Sequence, residues 1–257
     1  AGDYTHGLNS NVKLWILNVS SGAIKKLTPD DWDVGNYMNS DVRGPSSTGK
    51  LLWKGSWIYF PLNEGGRVSL LRADTEGHIE RLVDGNVSVE DFSVINGTVV
   101  LTLMNSIRPS ELYIYKDGKL KKATGFNDEF IEKSKLQVPE RFTFKASDGQ
   151  EIEGWVLRPS NFKEGEKYPA ILYIHGGPAT AYGESFQHEF YALSESGFAL
   201  VYMNPRGSAG YGEAFKDLRG KYGTRDYADL MEGLDYAIEH FNFIDKNRLG
   251  VAGGSYG

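Results

Sequence analysis

The chain has 257 residues, of which 40% are hydrophobic and 24% charged, with a formal net charge of −6 and no cysteine. This composition is close to that of an average globular protein, and the length allows one large domain or two smaller ones with separate cores. The sequence has no Lys/Arg block, which argues against nucleic-acid binding, and no cysteine, which excludes thiolate metal sites. No apolar run approaches the ~20 residues of a membrane span, so we expect no membrane insertion. We expect a cytoplasmic protein without a metal or other cofactor.

Residues 1–135 have the pattern of strands and turns only. One unit recurs in them: an alternating strand, a polar turn with glycine, and a second short strand. Copies of this unit lie at 13–28, 69–83 and 111–124, with further strand-like runs between them. Their spacing is near the 40–50 residues of a four-stranded propeller blade, so we expect the C-terminal blades of a β-propeller rather than a sandwich. Since a propeller closes with about four to eight blades, we also expect more of it before residue 1.

The pattern changes after 131–140, which we interpret as the linker to a second domain at 136–257. This domain begins with a hairpin that turns at Asp148-Gly149, a sequence typical of a type I′ turn. Strands are then predicted near 170–174, 198–203 and 248–252, with helices over 186–197 and 226–238 between them. Apolar strands that alternate with helices predict a parallel sheet with helices on both faces.

The sequence ends in a glycine-rich turn directly after the last of these strands. Gly253, Ser255 and Gly257 fit the pattern Gly-x-Ser-x-Gly. In α/β-hydrolases this pattern forms a strained strand-to-helix turn that exposes the serine oxygen as a nucleophile. Taken alone, the pattern is as well explained by an ordinary tight turn, because the chain has 31 glycines.

A second motif favours the catalytic interpretation. The segment His175-Gly176-Gly177 follows the third strand of the second domain. α/β-Hydrolases place one oxyanion donor there and the other at the residue after the nucleophile. We therefore expect Ser255 to be the catalytic nucleophile and the backbone N–H groups of Tyr256 and of Gly176 or Gly177 to form the oxyanion hole. His175 is interpreted as a structural residue of this loop.

No histidine in the sequence suits the role of the catalytic base. The histidines are His6, His78, His175, His188 and His240. All of them precede Ser255, whereas the order in α/β-hydrolases is Ser, then Asp or Glu, then His. We therefore expect the triad Asp and His beyond Gly257. Residues 1–257 alone are expected to be inactive, and also poorly soluble because the last strand would lack a neighbour.

Four segments together resemble the prolyl oligopeptidase family of serine peptidases, and its acylaminoacyl-peptidase branch in particular. They are HGGP at 175–178, NPRGSAGYG at 204–212, DYADLMEGLDYAI at 226–238 and GGSYG at 253–257. These motifs cover roughly 168–257. Over 1–135 the resemblance is only architectural, because the family places a β-propeller before its hydrolase domain. The resemblance implies a partial β-propeller followed by the N-terminal part of an α/β-hydrolase domain.

The resemblance also implies a function. Members cleave short peptides, including peptides with a blocked amino end, through a Ser-Asp-His triad and an acyl-enzyme. Ser255 corresponds to the family nucleophile, and Tyr256, Gly176 and Gly177 correspond to the oxyanion donors. Arg206 matches an arginine near the family's active site, where it either contacts substrate or holds its loop through an ion pair.

Two other interpretations stay open at this level. A carboxylesterase uses the same serine turn and oxyanion loop on small esters, although its cap is usually helical rather than a propeller. A non-enzymatic propeller scaffold with a degenerate hydrolase half would also carry these patterns. The sequence is compatible with a homo-oligomer and does not determine an oligomeric state.

Overall fold

A computed structural model describes residues 7–43 and 49–257. The first part of the chain consists of short antiparallel strands after a 3₁₀ turn at Gly7–Asn9. Its strands are β1 (Trp15–Leu17), β2 (Ile24–Lys26), β3 (Asp33–Val34), β4 (Leu52–Lys54), β5 (Trp57–Glu64), β6 (Arg67–Ala73), β7 (Ile79–Val83), β8 (Ser88–Ile95), β9 (Thr98–Asn105), β10 (Arg108–Lys116) and β11 (Lys119–Lys122).

These strands form a hairpin and two meanders. Strands β1 and β2 pair with each other, β4 to β7 form the first meander, with β3 at the edge of β5, and β8 to β11 form the second. A parallel bridge between Val68 and Ser88 links the two meanders. The three predicted repeat units correspond to β1–β2, β6–β7 and β10–β11, so two of them are the last strands of successive meanders. Within the described ranges these strands close no ring.

The hairpin and the two meanders stack face to face. Side chains alternate between the two faces of each strand, so a meander can bury apolar side chains on both faces. One face of the first meander, with Phe60 and Leu62, packs on Leu14 and Leu27 beside the β1–β2 hairpin. Its other face packs on the second meander; the buried residues there include Tyr59, Val68, Leu70, Phe92, Val94, Leu101 and Leu103. The first meander is therefore buried on both faces.

The second part of the chain alternates strands and helices. Helix α1 (Asp128–Ser134) precedes it, and its own elements are β12 (Glu140–Lys145), β13 (Glu151–Leu157), β14 (Tyr168–Ile174), α2 (His188–Glu195), β15 (Ala199–Asn204), α3 (Glu213–Lys216), α4 (Arg225–His240) and β16 (Ile244–Gly253). The linker predicted at 131–140 is therefore partly helical, and the prediction that residues 1–135 hold strands and turns only was wrong at their end, where α1 lies. Of the helices in residues 7–43 and 49–257, none combines the length and apolar composition that a bilayer crossing requires.

The predicted parallel sheet is present. Its strand order is β12-β13-β15-β14-β16, in which β15, β14 and β16 are parallel and β12 and β13 antiparallel. Helix α2 packs through Phe190 against Leu200 and Tyr202 on one face. Helix α4 packs through Leu234 against the opposite face, where Val201 lies. Alternate residues of β15 therefore contact different helices, as expected for a strand covered on both faces.

The turn of the β12–β13 hairpin differs from the expected type I′ turn. In its Asp148-Gly149 pair only the glycine has a positive φ, of 90°. The N–H of Gly149 donates to the Ala146 carbonyl at 2.7 Å, and the Ala146 N–H donates to the Gln150 carbonyl at 2.8 Å. A type I′ turn needs a positive φ at both central residues, so this prediction was wrong. The longer loop lets Asp148 reach Arg206 in the loop after β15.

The two parts of the chain meet at glycine turns. The Gly65 N–H donates to the Gly210 carbonyl at 2.9 Å, and the Glu184 N–H donates to the Gly66 carbonyl at 2.7 Å. A Cβ on Gly183 would lie 1.9 Å from the Gly66 oxygen, well inside van der Waals contact. The backbone of the turn between β5 and β6 therefore contacts the backbone of the second part directly. Only glycine permits such a close approach.

Side chains of the segment before β4 extend this interface. The carboxylate of Asp41 accepts the backbone N–H groups of His188 and Glu189 at 2.7 Å each. These are the first residues of α2, whose N–H groups have no partner inside the helix. The Asn39 N–H donates to the Ala181 carbonyl at 2.8 Å. A residue of the first part thus caps a helix of the second.

A buried ion pair joins the same two parts. Lys216 of α3 places its ammonium 2.6 Å from the Asp33 carboxylate, and the two side chains are 3% and 0% exposed. The Lys216 ammonium also donates to the Ser10 carbonyl at 3.3 Å and lies 5.0 Å from the centre of the Tyr37 ring. Removing one partner of such a pair leaves an uncompensated buried charge, which costs about 3–5 kcal/mol. Breaking the pair should therefore weaken the contact between the two parts.

Replacing Gly183 with alanine should destabilise the full-length protein by about 2–4 kcal/mol, because the new Cβ collides with the Gly66 carbonyl and strains a positive φ. Gly118→Ala is the matched control: its φ is +74° and nothing lies within 4 Å of the position of a Cβ. The control should cost only the strain of the left-handed conformation, about 1–2 kcal/mol. Thermal unfolding of the two variants checks this, and equal midpoints would contradict the close approach.

Candidate active site

The turn after β16 is tight at Ser255. This residue has a φ of 61°, which is uncommon for a residue other than glycine and stores backbone strain. A Cβ on Gly253 would lie 2.8 Å from the carbonyl oxygen of Ile174, and a Cβ on Gly257 would lie 2.2 Å from it. Because the end of β14 passes this close, only glycine fits at positions 253 and 257 of the Gly-x-Ser-x-Gly pattern. Ser255 lies between them at the apex of a strained turn.

The loop after β14 lies beside this serine. A Cβ on Gly176 would lie 3.4 Å from the Cβ of Ser255 and 4.0 Å from its Oγ. The next residue, Gly177, has a φ of 129°, and a Cβ there would lie 2.7 Å from the Ala179 nitrogen. The fold thus brings together the two glycine motifs that are nearly 80 positions apart in sequence. The convergence of the N–H groups of Gly176 or Gly177 and Tyr256 on one oxygen stays a prediction.

His175 holds this loop from behind. It is 2% exposed. Its Nε2 lies 2.9 Å from the Ser208 hydroxyl and its Nδ1 lies 2.7 Å from the Gly176 carbonyl oxygen. Burial lowers its pKa to about 4, so the imidazole is neutral at physiological pH. Both ring nitrogens are engaged away from Ser255, which supports a structural role for this histidine.

Thr180 connects the same loop to the first part of the chain. Its hydroxyl donates to the Gly176 carbonyl and accepts the side-chain N–H of Asn39 at 2.7 Å. On the other side, the Ser208 hydroxyl lies between His175 Nε2 and the Pro205 carbonyl oxygen, 2.7 Å from the latter. The loop after β14 is therefore held by the loop after β15 and by the segment that caps α2.

Arg206 forms an ion-pair network in the loop after β15. Its guanidinium lies 2.6 Å from Asp229 of α4, a fully buried carboxylate, and 2.5 Å from Asp148 of the β12–β13 turn. Asp229 also accepts the backbone N–H of Arg206 at 3.0 Å. The Arg206 guanidinium lowers the pKa of Asp148 to about 2. Of the two roles considered for Arg206, these contacts support the ion pair that holds its loop.

The side chain of Tyr256 anchors the serine turn to α4. Its hydroxyl donates to Asp226, which is 2% exposed. Asp226 also accepts the backbone N–H groups of Gly223 at 3.1 Å and Thr224 at 2.9 Å, just before the helix begins. Burial raises the pKa of Tyr256, so its hydroxyl stays protonated and available as a donor. The serine motif indicated a role only for the backbone N–H of Tyr256, and no local pattern in the sequence pairs its hydroxyl with Asp226, 30 positions away.

The remaining histidines lie elsewhere. His78 is paired with Asp74 at 2.7 Å, and His188 and His240 lie at the first residue of α2 and the last residue of α4. His6 lies outside the described residues. Among those described, no histidine hydrogen-bonds the Ser255 hydroxyl. The Ser-Asp-His triad therefore stays a prediction.

Comparison with known proteins identifies relatives of this chain. Residues 184–257 match the model of the prolyl oligopeptidase family. The chain is 47% identical over 252 residues to uncharacterized peptidase YuxL of Bacillus subtilis strain 168, covering 95% of this chain and 38% of that protein. It is 28% identical over 186 residues to dipeptidyl-peptidase 5 of Porphyromonas gingivalis, covering 70% of this chain and 27% of that protein.

A solved structure is similar over most of the chain. The acylaminoacyl peptidase of Pyrococcus horikoshii superposes with a TM-score of 0.84 and 30% sequence identity, covering 96% of this chain and 37% of that one. The chain thus spans less than two fifths of the length of each of these proteins. The family resemblance inferred from the motifs is confirmed by these matches.

Replacing Tyr256 with phenylalanine should destabilise the full-length protein by about 1–3 kcal/mol, because the buried Asp226 carboxylate loses a hydrogen-bond donor. Tyr222→Phe is the matched control, since that ring contacts Tyr256 but is 52% exposed. The control should change stability by less than about 0.5 kcal/mol. Urea unfolding followed by fluorescence measures both, and similar midpoints for the two variants would contradict the tether.

Replacing Asp148 with asparagine should reduce stability near pH 6, and the difference from wild type should vanish in acid. The folded pKa of Asp148, about 2, lies below the ordinary value of 3.8. A carboxylate with a lowered pKa stabilises the fold above its ordinary pKa and loses this effect as the pH falls through the folded value. Thermal unfolding at pH steps from 6 downward measures this, and a difference that grows below pH 4 would contradict it.

Proposed function

Residues 184–257 belong to the prolyl oligopeptidase family, and from this premise we propose that the whole protein is a serine peptidase that hydrolyses short peptides. The observation that carries this proposal is the serine turn: Ser255 sits at a φ of 61° with Gly176 of the neighbouring glycine loop against it. A strained serine beside backbone N–H groups is what acyl transfer requires of a nucleophile and its oxyanion hole.

In this mechanism the Ser255 hydroxyl attacks the carbonyl carbon of the scissile peptide bond. The backbone N–H groups of Tyr256 and of Gly176 or Gly177 stabilise the negative oxygen that forms, the amine leaves, and water then hydrolyses the acyl-enzyme. A histidine takes the serine proton and passes it to the leaving amine, and an aspartate orients that histidine. We expect both in the part of the full-length protein that this chain does not span.

The surrounding contacts support fixed geometry at this site. Tyr256 is tethered to Asp226, and the glycine loop is tied through His175 to Ser208. Arg206 in turn fixes the loop that carries Ser208. Catalysis through preorganised donors depends on such positioning. Donors that are already in place stabilise the charge of the transition state without a free-energy cost of reorganisation. We assign His175 and Arg206 as positioning residues.

The architecture supports peptides as substrates. We propose that residues 1–135 are blades of a β-propeller and 136–257 the N-terminal part of an α/β-hydrolase domain. The stacked hairpin and meanders and the similarity to an acylaminoacyl peptidase over 96% of the chain support this division. A propeller over the serine would admit short peptides and exclude folded proteins. We therefore favour an acylaminoacyl-peptidase or oligopeptidase activity; the cytoplasmic location and homo-oligomeric state stay predictions.

Replacing Ser255 with alanine in the full-length protein should lower turnover of an acyl-peptide p-nitroanilide by a factor on the order of 10⁶. The same substitution should abolish labelling by a fluorophosphonate probe, because the probe needs the activated hydroxyl. Ser196→Ala, at an exposed serine that follows α2, is the control and should still be labelled. Residual anilide turnover in Ser255→Ala would contradict the proposed nucleophile.

The same assays separate the alternatives. A carboxylesterase would turn over a p-nitrophenyl ester and not the anilide, whereas a non-enzymatic scaffold would turn over neither and resist the probe.

Residues 1–257 expressed alone should not be labelled, since the proposed base lies outside them. Labelling of that fragment at the rate of the full-length protein would show that the base lies within it.

A further inference from the structure

The glycine loop after β14 has no side chains at Gly176 and Gly177 that could hold its own backbone in place. Glycine adopts a wider range of backbone conformations than any other residue, so an ordered glycine pair needs contacts from outside it. Gly177 is also exposed, with a φ of 129°. The direction of its N–H therefore depends on the residues that hydrogen-bond the neighbouring backbone.

Two side chains hold the carbonyl of Gly176. The Thr180 hydroxyl donates to this oxygen, and Nδ1 of His175 lies 2.7 Å from it. The Gly176 carbonyl and the Gly177 N–H belong to one planar peptide unit, so the direction of the first sets the direction of the second. Thr180 and His175 therefore orient the N–H of Gly177, one of the candidate oxyanion donors.

Thr180 is itself held by a residue from the first part of the chain. The side-chain N–H of Asn39 donates to the Thr180 hydroxyl oxygen at 2.7 Å, and the same nitrogen lies 3.4 Å from the Ala181 carbonyl oxygen. A hydroxyl group has only one proton to donate. Because its oxygen accepts from Asn39, the Thr180 hydroxyl directs that proton to the Gly176 carbonyl.

The backbone of Asn39 is fixed against the second part of the chain. Its N–H donates to the Ala181 carbonyl at 2.8 Å. Its carbonyl accepts the Ser185 hydroxyl at 2.5 Å and the side-chain N–H of Gln187 at 2.7 Å. The position of the Asn39 amide beside Thr180 therefore follows from how the two parts of the chain dock.

We propose that Asn39 and Thr180 are positioning residues of the oxyanion hole, through which the first part of the chain orients the N–H of Gly177. This inference rests on the proposed peptidase function and adds to it a residue from outside the second part. Both side chains act through the Gly176 carbonyl rather than on the substrate. Their effect belongs to the transition state, because the Gly177 donor is needed most when negative charge develops on the substrate oxygen.

The test compares variants of the full-length protein. Thr180→Val removes the hydroxyl at nearly constant shape, Thr180→Ser keeps it, and Asn39→Ala removes the amide donor. Ser40→Ala is the matched control, because the Ser40 hydroxyl also joins the two parts but donates to the Phe186 carbonyl, at 2.7 Å. The measured quantities are KM and kcat for an acyl-peptide p-nitroanilide, with kcat expressed per active site from end-point fluorophosphonate labelling.

Thr180→Val should lower kcat about 10–100-fold, which is less than the 10²–10³-fold cost of deleting an oxyanion donor, and Asn39→Ala should lower it at least about 5-fold. KM should change less than about 3-fold, because an interaction made only in the transition state lowers kcat and kcat/KM equally. The Ki of a peptidyl trifluoromethyl ketone, whose adduct places an oxyanion at the same donors, should rise by the factor by which kcat falls.

Thr180→Ser should retain kcat within about 3-fold of wild type, and Ser40→Ala should match wild type. The double variant of Thr180→Val and Asn39→Ala should be no slower than Thr180→Val alone, since both substitutions act through one hydroxyl.

An unchanged kcat per active site in Thr180→Val or in Asn39→Ala would overturn the proposal. A loss confined to KM, or an equal loss in Ser40→Ala, would overturn it as well, because either result would come from general weakening of the contact between the two parts. If Thr180→Val does not fold, Asn39→Ala decides by the same criteria. The proposed function fails on a separate result, which is anilide turnover that survives Ser255→Ala.

Discussion

The site depends on how closely the end of β14 approaches the turn after β16. The carbonyl of Ile174 lies where a Cβ on Gly253 or Gly257 would collide with it. This approach forces glycine at both positions and leaves Ser255 in a positive-φ conformation. The glycine loop begins one residue after Ile174, so the same contact brings that loop against the serine. One steric constraint thus produces the exposed hydroxyl and places candidate oxyanion donors beside it.

Helix α4 stabilises both the serine turn after β16 and the loop after β15. Near its start it presents Asp226 to the Tyr256 hydroxyl and Asp229 to Arg206, three residues apart and therefore on the same side of the helix. The buried carboxylates are matched by donors, as buried charges must be. Because α4 lies on the sheet through its apolar face, its position is fixed by the core. Through this helix, the core also fixes the positions of the serine turn and of the loop after β15.

The first part of the chain also contributes to the site. The Gly65–Gly66 turn, the cap that Asp41 provides for α2, and the Asp33–Lys216 pair bind it to the second part. The last of these lies next to a cavity beside the glycine loop. Contacts between distant segments therefore determine the orientation of the two parts and the shape of the cavity of about 370 Å³ between them. Neither part would form this cavity by itself.

The sequence by itself determined the local structure. Alternating and continuous apolar runs predicted the hairpins and the three parallel strands, because these patterns reflect which faces of a strand are buried. The two glycine motifs pointed to Ser255 and Gly176, since each requires a special backbone conformation. Only the tertiary structure decided how these pieces meet. The tether of Tyr256 to Asp226, the pairing of Arg206 and the cavity beside the glycine loop arise from segments far apart in the chain. Sequence patterns report burial and local conformation, whereas the partner of a buried charge or hydroxyl is decided by which segments the fold brings together.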